Sequence, residues 1–164
     1  MVKNKCSNCV SIWGSRPVAW ADISGSLEYP DINGVISFYQ LDKGVLAVTE
    51  VFGLPAPVAS CAYPVFGFHI HEGGSCSGTP TDAFKDTLGH YNPQNCAHPY
   101  HAGDMPPLFG NHGYAFSVFF TDRFKAEEII DRTVVIHEKP DDFTSQPAGN
   151  SGKKIACGVI KAFI

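Results

Sequence analysis

Between Phe66 and Asp104 the chain reads FGFHIHEGGSCSGTPTDAFKDTLGHYNPQNCAHPYHAGD and carries five of its 7 histidines: His69, His71, His90, His98 and His101. From Gly73 to His112 the chain is rich in Gly, Pro and Asn and shows neither a helical nor a strand period. A loop of that length inside a compact domain is unusual and tends to be functional. Neutral imidazole offers a lone pair near neutral pH, which makes histidine the commonest side-chain metal ligand. A loop this rich in ligands needs a rigid frame, and the frame must come from the rest of the chain. A sixth histidine, His137, lies in one such segment, RTVVIHEK.

The remaining segments read as strands. VAWADISGSLEY, GVISFYQLD, GVLAVTEVFGL, VFGFHIHE, YAFSVFFTD, RTVVIHEK and KKIACGVIKAFI are rich in β-branched and aromatic residues. PDING and the short DKG turn separate the first three, a tight-hairpin signal. Only FKAEEIIDR has room for a helical turn. The expected fold is all-β: a Greek-key β-barrel or immunoglobulin-like sandwich of about eight strands, with a long metal-binding loop. Residues 1–15 read as an N-terminal arm and 16–164 as one barrel domain. A hydrophobic share of 44% against 17% charged residues suits a folded chain.

Charge and hydropathy exclude other classes. The net charge is −4 with no Lys/Arg cluster, which argues against a nucleic-acid partner. No apolar run approaches the ~20 residues of a membrane helix. The opening MVKNKCSNCVSIWG has no apolar core of signal-peptide length, so a cytoplasmic location is expected, or a periplasmic or extracellular one if a leader has been removed. The 6 cysteines pull against the cytoplasm, where stable disulfides are uncommon. Cys6 and Cys9 form a CxxC pair without the partner ligands or βαβ context that a metal or redox role needs.

His69 and His71 alternate on a predicted strand, so both rings share a face and Ile70 takes the other. His137 adds a third imidazole from a second strand, set among apolar residues and needing a partner. Three or four nitrogens in one plane suit Cu(II). A second group, His98, His101 and Asp104 with His90, offers three imidazoles and a carboxylate. That set closes a tetrahedral zinc site with no open position, hence a structural one. His112, in NHGY, reads as a turn residue.

GFHIHE, GHYNP, HAGDMPPL, TVVIHEKPDD and GNSGKKIACGVI, in this order from about Val65 to Ile160, together resemble the copper/zinc superoxide dismutase family, its bacterial branch in particular. The resemblance implies copper on His69, His71, His90 and His137, and zinc on His90, His98, His101 and Asp104, with His90 bridging the two. It implies that Asp141 links a copper ligand to a zinc ligand, His69 to His98, and that Cys76 and Cys157 form a disulfide. The implied activity is conversion of the small anion superoxide into dioxygen and hydrogen peroxide by copper redox cycling, with His90 carrying a proton and zinc in a structural role.

Where the family has an arginine beside copper this chain has Lys154, which keeps the charge and loses the planar fork. Phe66, at a position often histidine in relatives, reads as core packing. The pairing of Cys6, Cys9, Cys61 and Cys96 stays open, as does a homodimer. Two other classes stand beside the enzyme: a metal-binding relative with weak or no catalysis, and a plain β-sandwich interaction module.

Overall fold

A computed structural model describes residues 16–56 and 64–164. The expected arm 1–15, with Cys6 and Cys9, lies outside the described residues, as does Cys61. The described strands are β1 (Ala19–Gly25), β2 (Asn33–Leu41), β3 (Gly44–Phe52), β4 (Val65–Phe66), β5 (Phe68–His71), β6 (Leu108–Phe109), β7 (Ala115–Thr121), β8 (Thr133–His137), β9 (Lys154–Val159) and β10 (Lys161–Ala162). Two 3-10 turns, Lys85–Thr87 and Ala126–Ile129, complete the elements; the second sits in the FKAEEIIDR segment. The strands exceed the expected eight because β4, β6 and β10 are two-residue pieces at bends in the chain.

An antiparallel sheet in the order β5-β8-β9-β1-β2-β3-β7, with β10 beside β1, forms the barrel-like body; β4 and β6 pair separately. The chain leaves β3 near one end of this order and re-enters at β5, the other end, before β7 returns to the edge beside β3. This long-range return is the Greek-key connection.

Strand alternation builds the core. Ala19, Ala21 and Ile23 of β1, Ile36 and Phe38 of β2, and Val45, Ala47 and Val51 of β3 are buried at every second position. Phe66 is buried in the same core, as its apolar setting predicts. β5 and β8 differ: all their residues are buried. Phe68, Ile70, Val134 and Ile136 enter the main core, while Val135 packs with Phe84 and Cys157 in a second, smaller cluster on the opposite face. That opposite face also carries His69, His71 and His137, and the long loops cover it. Among the described residues no helix is long and apolar enough to cross a membrane.

Candidate metal centre

The loop from Glu72 to Pro107 returns against β5 as an irregular extra edge. Backbone bridges join His71 to His90 and His69 to Asp104. The Ile70 amide donates to the Gly103 carbonyl (2.9 Å) and the Tyr91 amide to the Ile70 carbonyl (2.8 Å). Gly103 permits this approach, since a Cβ there would collide with the Ile70 carbonyl. Main-chain pairing thus brings two loop ligands, His90 and Asp104, beside the His69-x-His71 strand.

Two groups of potential ligand atoms result, each within 4.8 Å: His69, His71, His90 and His137, and His90, His98, His101 and Asp104. These are the two sets expected from the sequence, and His90 belongs to both. The histidines are all buried and Asp104 nearly so.

Hydrogen bonds decide which nitrogens are free. The Nδ1–H of His71 donates to the Leu88 carbonyl (2.9 Å), and that of His137 to the Gly152 carbonyl (3.3 Å). Their Nε2 atoms then face each other as two lone pairs only 3.2 Å apart. A hydrogen bond between them requires a protonated ring. Burial pushes His71 well below its ordinary value and His137 down to about 3. A cation is what two facing lone pairs in a buried site call for.

Asp141 repeats this logic. Its Oδ2 accepts from His69 Nε2 at 2.7 Å and its Oδ1 from His98 Nε2 at 2.9 Å. The proton of each ring is thereby committed, and both Nδ1 atoms are bare. His69 Nδ1, His98 Nδ1 and His90 Nε2 are buried without a hydrogen-bond partner. His98 Nδ1 lies 3.1 Å from Asp104 Oδ2, but a lone pair against a carboxylate oxygen is a repulsive contact rather than a bond. His90 Nδ1 lies 2.8 Å from Asp104 Oδ1 and 3.4 Å from His101 Nδ1. The orphaned atoms are therefore distributed over both sets, and the donor chemistry fits two metal ions.

Electrostatics agree. Burial lowers His69 to about 4 against the pull of Asp141, so the ring is neutral and ready to ligate at neutral pH. Burial also lowers His101. Burial alone would raise Asp104 and Asp141, but hydrogen bonds from the imidazoles outweigh it and hold both carboxyls below their ordinary range.

The loop after β8 supplies the remaining cover. Asp141 is fixed by the Phe143 amide at 2.7 Å. Gly149, at φ +64°, packs where a Cβ would meet Asp141 and His98. Gln146 clasps the backbone of His98 through both its amide atoms, at 3.0 and 2.7 Å. Neither Gly149 nor Gln146 was singled out in the sequence; the only signal is their place in the GNSG and SQPAG turns.

Lys154 opens β9 directly opposite His137, at a register shift between Ile136 and His137. Its Nζ donates to the Phe84 carbonyl at 3.0 Å and lies 3.9 Å from an Asp82 oxygen. Burial lowers its pKa, with Asp82 and Asp86 opposing. Cys76 and Cys157 are disulfide-bonded across 81 residues and anchor the loop to β9. Cys96 is exposed and free. His112 sits in a turn at φ 52°.

The comparisons with known proteins point one way. The family model described as copper/zinc superoxide dismutase matches residues 32–160. "Superoxide dismutase [Cu-Zn] 2" of Aquifex aeolicus is 38% identical over 146 residues, covering 80% of each chain. A SOD-like protein from Bacillus subtilis superposes with a TM-score of 0.69 at 26% identity, covering 85% of this chain and 95% of that one. The Cu/Zn superoxide dismutase from Brucella abortus gives 0.70 at 24% identity, covering 86% and 98%, a likeness of fold. The chain belongs to the copper/zinc superoxide dismutase family.

Proposed function

We propose that His69, His71, His90 and His137 hold copper, that His90, His98, His101 and Asp104 hold zinc, and that this pair of sites carries the dismutation of superoxide to dioxygen and hydrogen peroxide. The observation that carries the assignment is the set of bare, buried nitrogens facing one another, the His71–His137 pair at 3.2 Å first among them. When bound, copper supplies the one-electron redox chemistry and zinc a fixed positive charge.

The protein's own residues do the rest. His90 Nε2, buried and without a hydrogen-bond partner, is the atom placed to take up and return a proton between the two half-reactions. Its Nδ1, on the Asp104 side, keeps the ring oriented. Asp141 holds His69 and His98 in one tautomer, so the two sites share one support. Lys154 supplies a local positive charge beside His137, which a chain of net charge −4 does not supply globally.

One finer assignment accompanies this reading. The Cys76–Cys157 bridge favours an oxidising compartment, hence the periplasmic or extracellular alternative over the cytoplasm.

The test is superoxide decay with protein loaded with copper and zinc, beside a His137→Ala control. Catalysed decay in the parent and none in the control is expected. Metal bound without faster decay would favour the metal-binding reading instead.

A further inference from the structure

Three of the four zinc-set side chains come from one short turn, His98 to Asp104. Such a turn has no strand of its own to hold it, so its ligands converge only if something else fixes the backbone. Pairing with β5 fixes the Gly103–Asp104 end, and the covering loop supports His98 through Gln146 and Asp141. A further support comes from the residues that follow β7.

Arg123 follows β7, and its amide donates to Thr121 Oγ1 at 3.2 Å. The next residue, Phe124, is buried in the core with its ring 6.2 Å from that of Phe38. Arg123 therefore stands on a fixed post. Its Nη1 reaches the carbonyl oxygens of Pro99 (3.2 Å), His101 (3.2 Å) and Asp104 (3.4 Å). Two of these carbonyls belong to ligand residues, and the third lies in the turn between His98 and His101.

We infer that Arg123 is a positioning residue for zinc: by gathering three carbonyls of the ligand turn on one guanidinium nitrogen, it holds His98, His101 and Asp104 convergent and slows zinc release. The inference rests on the two-metal reading above. Two effects compete. The guanidinium charge repels a nearby cation, whereas its hydrogen bonds remove the ordering cost of the loop. Arg123 is exposed, so solvent and salt screen the repulsion while the hydrogen bonds persist. Positioning wins.

The test uses fully metal-loaded protein challenged with a chromogenic zinc chelator, comparing the parent with Arg123→Gln and Arg123→Lys. Zinc release is expected to quicken about tenfold in Arg123→Gln, the equivalent of one charge-assisted hydrogen bond. Arg123→Lys, which keeps the charge without the fork, falls between. Copper release and the thermal midpoint of the metal-free protein stay at parental values, as a general structural role would not allow. Zinc release unchanged or slower in Arg123→Gln overturns the inference. So does parallel loss of both metals together with a lowered metal-free midpoint. A parent chain that holds no zinc overturns the two-metal reading itself, and this inference with it.

Discussion

His137 and Lys154 are partners across the β8–β9 ladder, at the point where its register slips. A register slip re-aims side chains, and such irregularities recur beside active sites. Here it leaves the lysine charge next to a histidine of the copper set. The ammonium is not free, however: the Phe84 carbonyl and Asp82 hold it toward the disulfide loop.

An arginine in this place would reach the same carbonyl and still present a second donor edge to a small anion. Lys154→Arg is therefore expected to raise kcat/KM for superoxide several-fold, and Lys154→Gln to lower it by roughly tenfold with a weaker salt dependence. Rapid-mixing kinetics at several ionic strengths checks both. No gain for the arginine variant would count against the orienting part of this account.

Asp141 bonds one ring of each set, His69 and His98. Asp141→Asn replaces an acceptor by a donor at one of the two rings and unlocks its tautomer. A loss of about 10–100-fold in metal affinity is expected. Competition titrations for each metal measure it, and an unchanged affinity for both would remove Asp141 from the machinery.

Much of this is legible in the sequence. The alternation in His69-x-His71 places both rings on one face, and the apolar flanks of His137 bury it. The strand segments, being rich in β-branched residues, announce the barrel. Other features have no local signature. The double membership of His90, which only the family resemblance implies, depends on where an aperiodic loop crosses β5, and the backbone bridges His71–His90 and His69–Asp104 decide that. The choice of nitrogen on each ring depends on distant carbonyls, Leu88 and Gly152, that any residue could supply. Nothing in the sequence singles out Arg123; its three carbonyl partners do.

The disulfide closes a loop between residues 81 apart and pins Cys76 over the cluster of Phe84, Val135 and Cys157. Loop-closure arithmetic gives about 4 kcal/mol for a span of this size. Urea unfolding of the metal-free protein with and without reductant is expected to differ by that order. A difference under about 1 kcal/mol would show that the loop is held by its other contacts.

Acid is expected to destabilise the metal-free protein. The folded state holds His69 at about 4 and His137 at about 3, against 6.5 in the unfolded chain. Between those limits the unfolded chain takes up protons that the folded chain does not, so stability falls as pH falls. Asp104 and Asp141 act in the same sense lower down. Their folded values lie below 3.8, so their contribution is present above that value and is lost as pH drops through the folded ones. The urea midpoint should be lower at about pH 5 than at about pH 7. An equal or higher midpoint at about pH 5 would contradict the buried, neutral state of these rings.

The most direct test of the shared centre is metal content and affinity in three single variants, read by mass spectrometry after dialysis and by competition titration. His71→Ala is expected to weaken copper alone and His101→Ala zinc alone, while His90→Ala weakens both and abolishes dismutation. Weakening of only one ion by His90→Ala would contradict the account, because that ring would then belong to a single site.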